Sequence, residues 1–179
     1  MSAEEEEKAF VFKIVVIGDG AVGKTSLIKQ YTEGNFVTDY IKTIGAQFSK
    51  YLESFDEDMV KLFFWDIAGQ SEFSFMRPTF YKGAKAGIMV FSLTDDQSFE
   101  NLKSWYEDIQ KHCGNLPVVL FGNKSDLIDV EKSDDEKKVD GLKDDINFLK
   151  YYRTSAKTGE NVYDAFRSII KYLHDSVTK

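Results

Sequence analysis

The chain has 179 residues, 42% of them hydrophobic, and a formal net charge of −7; this suits one domain with its own core and excludes a disordered chain. No apolar run approaches the roughly 20 residues that span a bilayer, and Glu4-Glu5-Glu6-Glu7 is the opposite of the basic start of a signal peptide. The acidic balance argues against broad nucleic-acid binding, while Cys113 as the only cysteine excludes an internal disulfide and, with just His112 and His174 beside it, a Cys/His zinc site.

Residues 1–9 read as an acidic, flexible N-terminus. Residues 11–17, Val-Phe-Lys-Ile-Val-Val-Ile, read as a buried strand, and residues 25–30 as the start of a helix. Between them lies Gly18-Asp19-Gly20-Ala21-Val22-Gly23-Lys24-Thr25, which fits the phosphate-binding pattern G-x-x-x-x-G-K-[ST]. The glycines let the backbone wrap an anion, and the loop N–H groups point inward at a helix N-terminus, where the dipole favours negative charge. Lys24 adds a point charge for the β- and γ-phosphates and Thr25 a hydroxyl for Mg²⁺. A chance glycine-rich turn is the weaker reading, because strand, loop, lysine, hydroxyl and helix fall in order.

Further along, residues 47–55 and 59–65 read as strands joined by Asp56-Glu57-Asp58, a link short enough to make them an antiparallel hairpin. Residues 86–93, 117–121 and 148–152 read as later strands. Phe99, Leu102, Trp105, Tyr106 and Ile109 keep helical spacing, as do Val162, Phe166, Ile169, Ile170 and Leu173. The stretch 129–145, rich in Asp, Glu and Lys, reads as a solvated loop and short helix. Strands alternating with helices predict a doubly wound, mostly parallel α/β sheet with helices on both faces.

Four more motifs follow the phosphate loop. Lys42-Thr43-Ile44-Gly45 can bring a second hydroxyl to Mg²⁺ and a backbone N–H to the γ-phosphate, a contact that lasts only while that phosphate is present. In Asp66-Ile67-Ala68-Gly69-Gln70, Asp66 stands at a strand end where it can hold the metal. Gly69 can offer an N–H to the γ-phosphate, and Gln70 can orient an attacking water. In Asn123-Lys124-Ser125-Asp126, the aspartate can accept guanine N1–H and N2–H₂, a donor pair adenine lacks. The Lys124 stem can cover the base, and Thr154-Ser155-Ala156-Lys157 can set an N–H near guanine O6. An ATPase or kinase, and a module that binds nucleotide without turnover, remain open readings; Asp126 speaks against the first and Gln70 against the second.

With these five motifs in this order, the chain resembles the Ras superfamily of small GTPases over about residues 10–175, with residues 176–179 left as a tail. It is most similar to the Rab branch in Thr43-Ile44-Gly45-Ala46-Gln47-Phe48, Trp65-Asp66-Ile67-Ala68-Gly69-Gln70, Phe80-Tyr81-Lys82-Gly83-Ala84 and Thr94-Asp95-Asp96-Gln97-Ser98-Phe99. Its phosphate loop is similar to that of the Rho branch, yet residues 126–155 are too few for the Rho insert. Ile67 and Ser71 stand where Rab proteins usually have Thr and Glu.

The resemblance implies a P-loop fold with a six-stranded sheet containing one antiparallel strand. It implies a switch that binds GTP and GDP with Mg²⁺, hydrolyses GTP slowly and regulates membrane traffic through effectors; a Ras- or Rho-like signalling switch is the alternative. The nucleotide-binding set it implies is Gly20, Ala21, Val22, Gly23, Lys24, Thr25, Ser26, Phe36, Tyr40, Thr43, Gly69, Asn123, Lys124, Asp126, Ser155, Ala156 and Lys157. Phe36 would pack on the guanine and Tyr40 close over the nucleotide. Thr25, Thr43 and Asp66 would hold the metal, and Gln70, Lys24 and Thr43 would serve hydrolysis. Effectors, an exchange factor and a GTPase-activating protein would dock on two switches, near residues 36–45 and 66–82, of a cytoplasmic monomer. Without a lipidation motif it would bind no membrane directly; recruitment, and a peripheral membrane location, would need a lipidated tail. The chain's arginines are Arg77, Arg153 and Arg167, and none is expected at the γ-phosphate.

Overall fold

A computed structural model describes residue 4, residues 9–32 and residues 37–179, with the backbone alone described for 37–43. The expected N-terminal segment lies almost wholly outside the described residues. One sheet holds β1 (Phe10–Ile17), β2 (Val37–Thr43), β3 (Ala46–Phe55), β4 (Asp58–Ile67), β5 (Ala86–Ser92), β6 (Val118–Asn123) and β7 (Tyr151–Arg153), in the spatial order β2-β3-β4-β1-β5-β6-β7. Around it lie α1 (Lys24–Thr32), α2 (Arg77–Tyr81), α3 (Asp96–Glu100), α4 (Leu102–Cys113), α5 (Asp135–Gly141) and α6 (Val162–Thr178), with 3₁₀ turns at Ser71–Met76 and Ser125–Leu127.

The six strands expected from the resemblance are present, and β3 is the one that runs against the rest. A seventh, β2, is added at the edge, paired antiparallel from Val37 opposite Tyr51 to Thr43 opposite Ala46, with a register shift between Val37 and Asp39. Its sequence, Val-Thr-Asp-Tyr-Ile-Lys-Thr, has no apolar alternation. An edge strand is held by backbone pairing, which side-chain pattern does not encode. The last strand begins later than residues 148–152 suggested, although the Leu149 N–H already donates to the Val118 carbonyl (2.8 Å) and the Leu120 N–H to that of Lys150 (3.0 Å).

Burial follows position in the sheet. Every residue of β5 and β6 is buried, because helices cover both faces of these central parallel strands. The β3–β4 hairpin alternates instead, burying Tyr51, Leu62 and Phe64 while Phe48, Phe63 and Trp65 stay half-exposed on its outer face, stacked on one another. Two cores result. Phe12, Ile14 and Val16 point to α1 and α6, where Phe166 stacks on Tyr31 with ring centroids 4.5 Å apart. Val15 and Ile17 point to the other face, against Leu102, Trp105 and Ile109 of α4. The helical stripes read from sequence are therefore core, as expected. Val139, in the stretch read as solvated, and Ile146, just past its end, are 2% and 1% exposed and join the second core; an isolated apolar residue among charges leaves too weak a periodicity to detect.

The order places β1 between β4, reached before the chain crosses, and β5, reached after it. That switch point opens a crevice at the strand C-terminal ends. All the motifs following β1, β4, β6 and β7 converge there.

Candidate nucleotide site

The phosphate loop is built by close backbone approach. Gly23 has φ +101°, a left-handed conformation, and a Cβ there would meet Asn123 Nδ2 at 2.3 Å. The Asn123 amide donates to the Val22 carbonyl (2.9 Å), while its Oδ1 accepts from Thr154 Oγ1 and the Ala156 N–H, both at 3.2 Å. One buried side chain thus ties three motifs together. Lys124 Nζ donates to the Ala21 carbonyl (2.8 Å), a second strap across the loop.

Lys24 opens α1 and is 7% exposed; its ammonium donates to the carbonyls of Gly18 and Asp19, both at 2.8 Å. Burial lowers its pKa, against the pull of Asp66 and Asp19. Thr25 Oγ1 donates to Asp66 Oδ2. Burial raises the Asp66 pKa, opposed by the Thr25 hydroxyl and by Lys24 and Lys29. Opposite charges held out of water around one cavity mark a functional site. That cavity, about 820 Å³, is lined by Gly20, Ala21, Gly23, Lys24, Thr25, Ser26, Asp66, Gly69, Gln70 and Lys124 among others. Gly69 lies so near the phosphate loop that a Cβ would fall 2.3 Å from the Gly20 nitrogen, and one on Gly20 would lie 4.0 Å from Gln70 Nε2.

A second cavity, about 400 Å³, shares Gly23, Ser26 and Lys124 with the first and adds Asn123, Asp126, Ala156 and Lys157. Ser155, fully buried, donates its hydroxyl to Asp126 Oδ1 (2.7 Å) and accepts from the Thr158 N–H (3.1 Å), so the carboxylate is aimed before any ligand arrives. Val22 lines neither cavity and acts through its carbonyl. Phe36 lies outside the described residues; Tyr40 and Thr43 fall in β2, where the backbone alone is described.

Sequence reasoning missed several supports. Asp19 accepts from Trp105 Nε1 (2.8 Å) and Asn101 Nδ2 (2.7 Å), binding the loop to the α3–α4 corner. A carboxylate inside a phosphate loop was the available signal, since it needs a partner facing away from the anion. The Ser125 N–H donates to the Thr154 carbonyl and its Oγ to Glu160 Oε2, both at 3.0 Å, locking together the two motifs that border the smaller cavity. Arg77 does not line the larger cavity: its guanidinium lies 4.0 Å above the Trp105 ring, with Nη2 3.4 Å from the Gly69 and Gln70 carbonyls. Arg167 is held by Ser54 O and Glu53, and Arg153 by Asp135, both away from this cavity.

Among the described residues no helix is long and apolar enough to cross a membrane. The Ras family model matches residues 13–175. The chain is 34% identical over 171 residues to Ras-related protein RABE1d of Arabidopsis thaliana, covering 95% of this chain and 79% of that one. It is 35% identical over 175 residues to Ras-related protein RAB1BV of Beta vulgaris, with 95% and 81% covered. With Ras-related protein Rab-1 of Theileria annulata it shares 38% over 178 residues, with 97% and 79% covered. Such proteins work through effectors, exchange factors and GTPase-activating proteins. A phosphate loop at the switch point, a joined second cavity edged by Asn123 and Asp126, and these relatives lead to one conclusion: the chain belongs to the Ras family, as a Rab-like small GTPase that binds guanine nucleotide and hydrolyses GTP.

Proposed function

We propose that the two joined cavities divide the nucleotide between them, phosphates in the larger and guanine in the smaller. The observation that carries this reading is their shared wall of Gly23, Ser26 and Lys124, with Lys24, Thr25 and Asp66 on one side and Asp126 on the other. Lys24 and the loop N–H groups of residues 20–26 then receive the phosphates. Asp126, aimed by Ser155, accepts from guanine N1–H and N2–H₂, a backbone N–H of the Thr154–Lys157 loop faces O6, and the Lys124 and Lys157 stems border the base.

Thr25, Thr43 and Asp66 fit Mg²⁺: they are hard oxygen donors with a single carboxylate among them, the set this ion uses when phosphates and waters complete its shell. Held by these residues, Mg²⁺ would supply charge neutralisation for the phosphate oxygens. Gln70, near Gly20, orients a water for in-line attack on the γ-phosphorus. The new O–P bond forms as the bond to the β–γ bridging oxygen breaks, giving GDP and inorganic phosphate, with the water proton ending on phosphate. Lys24 and the Gly69 N–H stabilise the charge on the transferred group. With Arg77 held on Trp105, basal turnover is slow, on the order of 10⁻⁴–10⁻³ s⁻¹, and an activating protein supplies the missing cation. As for other Rab-like switches, the role is in membrane traffic, from the cytoplasm or peripherally at a membrane through a lipidated tail.

The test is Asp126→Asn. Losing a charge-assisted pair of bonds costs on the order of 2–4 kcal/mol, or roughly 30- to 1,000-fold in GTP affinity, and transfers preference to xanthosine triphosphate. Wild-type GTP affinity with no gain for the xanthine nucleotide defeats the assignment.

A further inference from the structure

The base-side motifs are braced by a buried carboxylate that belongs to none of them. Asp135 opens α5, is 5% exposed and accepts four hydrogen bonds. Arg153 Nε and Nη2 each donate at 2.8 Å as a two-pronged fork, Tyr151 OH donates at 2.5 Å, and Ser133 Oγ also donates. Burial pushes the carboxyl pKa up, but the bonds from Arg153, Ser133 and Tyr151 outweigh it and hold the group at about 2.

Both donors from β7 lead to the smaller cavity. Arg153 ends β7 and directly precedes Thr154-Ser155-Ala156-Lys157, and its carbonyl accepts from Asn161 Nδ2 (2.9 Å) at the entry to α6. To reach Asp135, Tyr151 crosses Gly122, the residue before Asn123. A Cβ on Gly122 would meet the Tyr151 hydroxyl at 2.4 Å and the Phe91 ring at 3.0 Å. One clamp therefore seats against the last residues of β6 and β7 at once, where Asn123 and Ser155 begin their contacts. Arg fork, phenol and bare glycine make up a device more specific than an ordinary surface pair.

We propose that Asp135 is a positioning residue for guanine recognition: through Arg153 and Tyr151 it fixes the spacing between the Asn123–Asp126 and Thr154–Lys157 loops, and so the aim of Asp126 and of the loop N–H that meets guanine O6. The proposal rests on the guanine assignment of the smaller cavity. Arg153 forms the grip and Tyr151 sets its depth over Gly122.

The experiment loads the full chain with GDP or with 6-thio-GDP, in which sulfur, a poor acceptor, replaces guanine O6. It measures the release rate and the affinity of each. Arg153→Met removes the fork and is expected to speed GDP release about tenfold. It also moves the GDP to 6-thio-GDP affinity ratio toward one, because the donor at O6 is no longer held. Arg153→Lys keeps the charge and one prong and stays within about threefold of wild type. Equal losses for both nucleotides, leaving the ratio unchanged, mean a merely structural clamp and overturn the proposal, as does unchanged GDP release. Should Arg153→Met fail to fold, Tyr151→Phe carries the test: a smaller change of ratio in the same direction supports the proposal, and an unchanged ratio overturns it. Asp126→Asn in parallel separates the two readings. If that variant keeps guanine preference, the base site itself is misassigned; if it loses preference while the clamp variants do not, only the clamp fails.

Discussion

Gly69→Ala tests how the second switch meets the phosphate loop. An ideal Cβ on Gly69 falls 2.3 Å from the Gly20 nitrogen, 2.5 Å from the Asp19 carbonyl carbon and 2.7 Å from the Gly18 oxygen, whereas ordinary contacts run from 3.4 to 4 Å. All three obstacles are backbone of a loop tied down by Lys24, Asn123 and Lys124. The movable partner is the second switch, which must withdraw by about 1 Å, and Gln70 is the next residue. A misplacement of about 1 Å in a group that orients a reactant costs on the order of 100-fold in rate, or about 2.7 kcal/mol of barrier. Single-turnover hydrolysis of preloaded GTP, with phosphate release followed over hours, is the assay. GDP release serves as the control for the loop itself, which the substitution leaves in place. Hydrolysis within threefold of wild type would refute the reasoning, because it would require Gln70 to act from a position that the added methyl does not disturb.

Further expectations follow from single contacts. Gln70→Leu keeps the fold, since the side chain is exposed, and lowers basal hydrolysis by roughly tenfold or more; an unchanged single-turnover rate removes Gln70 from the mechanism. Phe166→Ala opens a void beneath Tyr31 and between Phe64 and Phe121, costing about 3–5 kcal/mol in chemical denaturation. A loss below about 1 kcal/mol would mean that the helix repacks. For Asp135, the folded pKa of about 2 lies below the ordinary 3.8. Its stabilising contribution is therefore present above the unfolded value and lost as pH falls through the folded one. In urea titrations the advantage of wild type over Asp135→Asn should be constant above about pH 5 and shrink toward pH 2. An advantage that grows with acidity would reverse the sign of the argument.

How the chain handles its arginines illustrates what tertiary contacts add. Arg77 follows Gln70 in the second switch, which makes it the arginine closest in sequence to the reacting phosphate. The fold turns it away, over Trp105 and toward the Gly69 and Gln70 carbonyls. Trp105 Nε1 in turn holds Asp19, so one α4 ring touches both the phosphate loop and the segment carrying Gln70. Nothing in the spacing of Arg77, Trp105 and Asp19 announces that meeting.

Sequence by itself determined the chemistry. Four of the five motifs, Gly18–Thr25, Asp66–Gln70, Asn123–Asp126 and Thr154–Lys157, are contiguous and follow strands read from hydrophobic patterning, so they were legible from local pattern; Lys42–Gly45 follows β2, which that patterning does not reveal. The central strands were legible for the same reason: burial on both faces leaves an unbroken apolar run, as in β5 and β6. Tertiary structure alone decided the bracing. Asn123 to Val22, Lys124 to Ala21, Trp105 to Asp19 and Arg153 to Asp135 join residues far apart in the chain. These bonds depend on which strand ends become neighbours, which local propensity does not specify. The same holds for β2, which pairs through its backbone. It holds too for Asp135, one acidic residue among many in its stretch until the fold sets Arg153, Tyr151 and Ser133 around it and shuts out water.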